Sequence, residues 1–297
     1  MDSSVKGKGT VMFQVLCYIV LTILALAVIL PFIILIASSF TDNDALRKYG
    51  YTFWPTIFSL YSYEYLFVTN ATSIFRAYGI TFFITIAGVV LSLLIGPMMA
   101  YPLSRRDYPR RKVFTFYVFF TMLFNGGIVP SYMMWTNIFG IKNTIWALIF
   151  PNLVINGFYI ILYKNNFTNN IHPALIEAAK IDGAGEFFIY RKIIVPLSLP
   201  IMATVGLMSG LGFWNDWVNG LYYITDKNLY SLQVLLNNIM VNITALASMG
   251  DVTTTMKLPG TSIRMAMAVI GVLPVLVLYP FFQRYFVKGI ALGGVKE

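Results

Sequence analysis

The sequence predicts an all-helical integral membrane protein, and three observations carry that prediction. Hydrophobic residues fill 58% of the 297 positions. Charged residues fill 11%, against about 25% in an ordinary soluble domain. The apolar residues fall in six stretches, near 11–38, 74–102, 113–136, 143–163, 200–224 and 262–287. Each approaches the roughly 20 residues that cross a hydrocarbon core of about 30 Å as a helix.

The first stretch is too long for a signal-peptide core. No clear small-residue cleavage site follows it before the polar TDND at 41–44, so it reads as a retained helix. A polar connection at about 41–72 leads to the second span. Asn125, Gly126, Gly127 and Pro130 interrupt the third, and Gly140 to Asn143 leaves a short turn before the fourth. A second polar connection, about 226–261, separates the fifth span from the sixth. Neither connection carries enough apolar residues for an independent domain.

Six spans place both termini on one side, and lysine and arginine say which. With the termini in the cytoplasm, that side holds Lys6 and Lys8, the five cations of RRDYPRRK (105–112), Lys164, Lys180, Arg191 and Lys192, and then Arg284, Lys288 and Lys296. These are fourteen of the 21 cations. The formal charge of +9 then follows from topology and contact with anionic lipid and needs no nucleic acid. The lone cysteine, Cys17, permits no internal disulfide.

Several chemistries leave no trace. There is no G-x-x-x-x-G-K-[ST] phosphate cradle, so the chain has no ATP loop of its own. One histidine, His172, and one cysteine make a transition-metal site or a Cys/His catalytic pair improbable. A G-x-S-x-G elbow is missing too. Ion-coupled transport draws on ionisable groups within the membrane, yet only Asp216 lies well inside a span. Arg76, Lys142, Arg264 and Arg284 sit at span ends, where they can snorkel. Energy for transport therefore points to another subunit.

Between the fourth and fifth spans stands EAAKIDGAGEFFIYRKIIVPLSLP, residues 177–200. Asn170 is a candidate cap, Pro173 suits a first helical turn, and ALIEAAKI is strong helix-forming sequence, predicting a helix over about 172–182. Asp182, Gly183, Ala184 and Gly185 end it, glycine tolerating the left-handed backbone of a helix terminus. A second helix follows from about Glu186 to Ile194, with Pro196 and Pro200 stopping it. On the first helix Leu175, Ala178, Ala179 and Asp182 share helical spacing. Glu177 stands beside the small Ala178 and Ala179, where a partner surface can approach closely and pair with the acid. A plain membrane-surface helix remains the alternative, although more bulky apolar and basic residues would be expected there.

This stretch resembles the EAA loop of bacterial ABC importer permeases, E-A-A, three residues, G, nine residues, I, one residue, L-P. Glu177, Ala178, Ala179 and Gly183 fit its first half. Ile193, Val195, Pro196, Leu199 and Pro200 fit the second more loosely. FNGGIVPSY (124–132), GFWNDWVNGLYYITD (212–226), LYSLQ (229–233) and the tail YFVKGIALGGVKE extend the resemblance to the maltose-permease class, and most to its subgroup for complex or acidic oligosaccharides. It covers roughly 70–297.

The resemblance implies a type I ABC importer permease of six transmembrane helices in a bacterial cell membrane. Residues 1–73 would form the tail, first helix and extracellular loop, 74–287 the permease core with a coupling loop at 167–199, and 288–297 a cytoplasmic tail reaching toward the ATPase. It implies a second permease subunit, two cytoplasmic ATPase subunits that bind ATP and Mg, an extracellular solute-binding protein and an oligosaccharide cargo. Glu177 would pair with a basic residue of the ATPase, Ala178 and Ala179 would allow close packing, and Asp182 and Gly183 would form the bend. ABC permeases for peptides, amino acids or anions, and an ion-coupled secondary carrier, are the competing readings.

A second candidate site lies in the fifth span. Trp214, Asn215, Asp216, Trp217 and Asn219 combine hydrogen-bonding groups with aromatic faces, a pairing suited to a sugar's hydroxyls and C–H faces. Asp216 can equally cap or brace a neighbouring helix. Gly206 and Gly210 read as small-residue packing positions.

Overall fold

The computed structural model describes residues 8–151, 153–248 and 260–294. Lys6, Lys296 and part of the outer connection at 226–261 lie outside them, as do the side chains of the tail. Regular structure among the described residues is helical, apart from an isolated antiparallel bridge between Thr41 and Phe58. The chain forms two units, Met1–Ala71 with Ile239–Leu273, and Thr72–Asn238 with Pro274–Glu297.

In the first unit α1 runs Lys8–Ser39, with Pro31 inside it. Its side chains are almost all exposed until Ala37, Ser38 and Ser39, which are buried. The Thr41 hydroxyl donates back to the Ala37 carbonyl at 2.7 Å, and Phe40 lies against Phe58 and Tyr63 with ring centroids 5.8 and 4.8 Å away. Asp42 then caps α2, Asn43–Tyr49, accepting from the Asp44 and Ala45 amides. The Thr41 and Asp42 side chains thus bond locally, whereas Asn43 Oδ1 accepts from the Thr261 amide at 2.9 Å. The short α3, Tyr61–Glu64, closes the connection and passes into a π-type turn.

The second unit is organised on α4, Ala71–Ser104. By length and composition α1 and α4 can each cross a membrane alone. The third apolar stretch is split as its glycines predict. Helix α5, Arg111–Leu123, stops at Phe124, and α6, Ile128–Met133, starts after Gly127 at φ +88°. Asn125 accepts from the Gly127 amide at 2.8 Å, and the two pieces bend by 112°.

The fourth stretch, 143–163, is not one helix. A 3-10 turn, Ile145–Leu148, is followed by irregular chain, and α7, Gly157–Asn170, begins only where Asn156 caps it. Ala147 and Leu148 of that turn and Ile149 and Val154 beyond it are buried. A run this short reads alike whether it is a spanning helix or a buried loop.

After α8, Pro173–Ile181, a second helical piece runs Glu186–Leu197 as α9 (Glu186–Ile189), a π-type turn and α10 (Val195–Leu197). It bends by 78° onto α11, Leu199–Trp214. The fifth stretch breaks after Trp214 and resumes as α12, Val218–Tyr223. Helices α13, Leu232–Ser248, and α14, Thr261–Gly294, complete the chain.

Two apolar clusters sit at different levels of α4. One gathers Tyr101, Tyr163, Phe167, Ile189, Ile194 and Val205. The other gathers Ile84, Leu148, Ile149, Phe213 and Tyr223. Between α4 and α11 the contact is made by small residues. A Cβ on Gly206 would touch Leu93 at 3.4 Å and one on Gly210 would touch Val89 at 3.5 Å, the close packing that glycine permits between helices in lipid.

Candidate functional site

The segment from Ile171 to Leu197 is a helix, a turn and a helix. The cap of α8 is His172 rather than Asn170. Asn170 is the last residue of α7, while the His172 Nδ1 accepts from the Ala174 amide at 3.3 Å. Pro173 takes the first helical position, as its missing N–H favours.

Helix α8 ends where the glycine demands. Gly183 has φ +78°, its amide donates to the Lys180 carbonyl, and the Ala184 amide donates to the Ala179 carbonyl at 2.9 Å. Pro196 does not stop the following helix. It opens the short register of α10, where its absent N–H costs little, and the chain turns only at Ser198.

The outward side of this segment is exposed among the described residues. Glu177, Ala178, Asp182 and Gly183 are exposed, with Leu175, Phe187 and Phe188 around them and Ile181 86% exposed. Its inner side is anchored, Ile176 and Ala179 packing on the cluster that holds Ile171 and Ile189. An exposed acid among small and apolar groups on an anchored helix suits a protein contact.

Beyond its chain neighbours, no atom of the described residues lies within 4 Å of a Cβ built on Gly183, and its positive φ is what opposes a substitution there. Gly183→Val is expected to cost about 1–2 kcal/mol at this turn, read as a lowered thermal-unfolding midpoint of the purified protein. An unchanged midpoint rejects a sterically demanding left-handed turn at Gly183.

Sequence reasoning missed the charges beneath the turn. Asp107, in the connection after α4, accepts from Arg105 Nε at 2.9 Å and Nη2 at 2.6 Å, and from Lys180 Nζ of α8 at 2.9 Å. Lys180 also pairs with Glu186 of α9 at 3.0 Å, and Arg105 approaches Glu186 at 3.6 Å. The Tyr101 hydroxyl donates to Glu186 Oε2 at 2.5 Å. The hydrogen bonds from Arg105 and then Lys180 hold the Asp107 carboxyl well below the usual carboxylate range. The Tyr101 hydroxyl is the main cause lowering Glu186. Because both folded values are depressed, the contribution of these carboxylates is present at neutral pH and lost as pH falls through the folded values. Each residue is an ordinary surface charge in sequence, and 73 positions separate Asp107 from Lys180.

At the break between α11 and α12 the five aromatic and polar candidates separate. Trp214 is buried, its ring 5.1 Å from Phe82 and 6.4 Å from Tyr78. Asn219 is buried and donates to the Pro151 carbonyl at 3.0 Å. Asp216 Oδ1 accepts from the Val218 and Asn219 amides, capping α12. Its Oδ2 is buried with no hydrogen-bond partner among the described residues. Asn215 and Trp217 are exposed. Asp216 therefore sits in a break between helices and caps α12, as one sequence reading allowed.

Asn143, in the left-handed region at φ +55°, holds the chain after the break. Its Oδ1 accepts from the Thr225 amide at 2.6 Å and the Asp226 amide at 3.2 Å. An asparagine beside Gly140 hints at such a turn, but its partner is 82 residues away.

Broken membrane helices around buried polar groups, joined by an anchored helix-turn-helix with an exposed acidic face, define a membrane transport component. The chain belongs to the family of binding-protein-dependent transport system inner membrane components, whose model matches residues 88–292. It is 38% identical over 286 residues to the polygalacturonan/rhamnogalacturonan transport system permease protein YtcP of Bacillus subtilis (strain 168), covering 96% of this chain and 98% of that one. It is also 38% identical over 268 residues to Protein LplC of the same organism, covering 90% and 89%. A crystal structure of a bacterial ABC transporter involved in the import of the acidic polysaccharide alginate contains a chain that superposes with TM-score 0.77 at 27% identity, covering 96% of this chain and all of that one.

Proposed function

We infer that this chain is one of two permease subunits of an ATP-driven importer for oligosaccharides, and that its cargo carries uronic acid groups. The names of the pectic relative and of the alginate transporter support the cargo class. The observation that carries the mechanism is the exposed α8 face ending at the left-handed Gly183. This face is the coupling helix, docked in a separate cytoplasmic ATPase subunit. Glu177 pairs there with a basic residue, and Ala178, Ala179, Asp182 and Gly183 shape the contact.

Two ATPase subunits bind ATP and Mg, and this chain contributes no catalytic residue. ATP draws the ATPases together and the docked segments follow. The permease pair opens outward to receive sugar from an extracellular binding protein, and hydrolysis resets the cycle. The chain crosses the bacterial plasma membrane six times with both termini in the cytoplasm. Residues 74–287 are the permease core and 167–199 the coupling loop. The first helix and outer loop precede that core, and a cytoplasmic tail at 288–297 follows it.

The break at 214–219 is the candidate pathway element, with Asn215 and Trp217 offered to the sugar, Asp216 Oδ2 buried here and joining them when the break opens, and Trp214 and Asn219 holding the break together. The test is uptake of labelled oligogalacturonides by the complex reconstituted with its partner permease, ATPase and binding protein. The parent complex is expected to transport them in competition with other uronates and not with neutral oligosaccharides. Asp216→Asn keeps the capping oxygen and is expected to lower uptake at normal protein level. Asp216→Ala together with Asn219→Ala removes the cap and the Pro151 bond and is expected to lower the protein level as well. Unchanged uptake in Asp216→Asn rejects the pathway role.

A further inference from the structure

The coupling segment is tied to the core helix by charge. Arg105 stands one residue past the end of α4, Asp107 two residues further, Lys180 in the last turn of α8 and Glu186 in the first turn of α9. Two cations and two carboxylates alternate. Lys180 bridges Asp107 and Glu186 at 2.9 and 3.0 Å, Arg105 takes Asp107 through two nitrogens, and Tyr101 of α4 holds the far oxygen of Glu186. The Arg105 side chain is only 11% exposed, although Asp107 and Glu186 are each 56% exposed.

One apolar cluster backs the same corner. Tyr101, Ile171, Ile189 and Ile194 share it with Ala179 and Ala184 packed alongside, so the charges close a contact whose base is already fixed. Placed this way, the four charges straddle both sides of the Gly183 turn. Gly183 itself has no side chain to hold the turn, and beyond its chain neighbours no atom of the described residues stands within 4 Å of where one would begin.

We propose that Arg105, Asp107, Lys180 and Glu186 form an ionic clamp that makes the coupling segment and the end of α4 one rigid body, so that displacement of the docked segment is delivered to the helix at the centre of the permease core. The proposal rests on the coupling reading above and adds the positioning residues that reading lacks. Without the clamp, α8 would pivot about the flexible Gly183 turn and part of the stroke would be spent in the turn. Each pair alone is partly solvated and worth little. The stiffness comes from four groups holding two helices and a loop at once, backed by Tyr101. A bidentate arginine fixes the carboxylate's orientation as well as its position.

The test reads stiffness directly and needs no cargo. Spin labels are placed at Arg106→Cys and Ala174→Cys, both exposed, in a Cys17→Ser background of the assembled complex. Their separation is measured without nucleotide and with ATP and Mg bound. The parent is expected to show one narrow distribution that is the same in both states. Lys180→Met or Asp107→Asn is expected to broaden it and make it nucleotide-dependent. The two together are expected to do no more than either alone, and Lys180→Arg to restore the parent. ATPase co-purification is expected to persist in all of them, because neither residue lies at the docking acid. A parent distribution that already shifts with nucleotide, or neutralised variants as narrow as the parent, overturns the clamp. Glu177→Lys runs in parallel. If it releases the ATPase while the clamp variants behave as the parent, the clamp fails and the coupling reading stands. If it keeps the ATPase bound at parental affinity, the coupling reading fails and the clamp with it.

Discussion

Glu177→Lys is expected to release the ATPase from the purified complex and abolish coupled uptake while the membrane protein stays folded. Glu177 is exposed on α8, where a substitution typically changes folding stability by no more than about 0.5 kcal/mol. Docking responds differently. In the proposed docking, sign reversal sets two cations against each other at a partly desolvated contact. Disrupting a charge pair at such a contact costs roughly 2–5 kcal/mol, about 30-fold to several-thousand-fold in affinity. Co-purification, ATP hydrolysis and uptake are measured together, and an acidic substitution at the facing basic residue of the ATPase is added. Recovery in the paired variant identifies the contact. Full binding and full uptake by Glu177→Lys alone would reject the coupling assignment.

Gly88→Ala is expected to be a strongly damaging one-carbon change in the core. A Cβ on Gly88 of α4 would lie 2.2 Å from Phe213 Cζ and 2.5 Å from both adjacent ring carbons. The ring cannot swing aside, since Phe213 of α11 is 1% exposed within the cluster of Ile84, Leu148 and Tyr223. Either α4 and α11 separate or Phe213 leaves its rotamer, and overpacking of this kind costs about 1–3 kcal/mol. Gly79 provides the control on the same helix, because nothing lies within 4 Å of its Cβ position. Thermal unfolding of the detergent-solubilised complex is expected to fall for Gly88→Ala and to hold or rise for Gly79→Ala. Equal behaviour of the two variants would mean that the α4–α11 seam is looser than described.

The parts legible in sequence share a physical character. Helix α8 was placed within a residue at each end, and Gly183 at its left-handed turn, because proline, a run of helix formers and glycine act on backbone within one or two turns. The break after Asn125 was marked by the residues that cause it. Long apolar helices such as α1 and α4 declare themselves because lipid demands a continuous apolar surface of fixed length. The capping residue of α8 was misplaced by two positions, since Asn170 and His172 both flank a proline-led helix. The end of α7 decided between them.

What the sequence determined by itself was therefore the class of chain, its long apolar helices α1 and α4 and the helix-turn-helix that follows α7, all set by solvent preference and short-range backbone sterics. Tertiary structure alone decided the rest. It made the fourth apolar stretch a 3-10 turn and irregular chain before α7 instead of one helix, turned Asp216 into a cap with one orphan oxygen, sequestered Trp214 and Asn219, and brought Asp107 within 2.9 Å of Lys180. Each of these depends on which distant surface the fold lays against a residue. Burial and charge pairing across dozens of positions leave no periodicity in the chain for a local reading to detect.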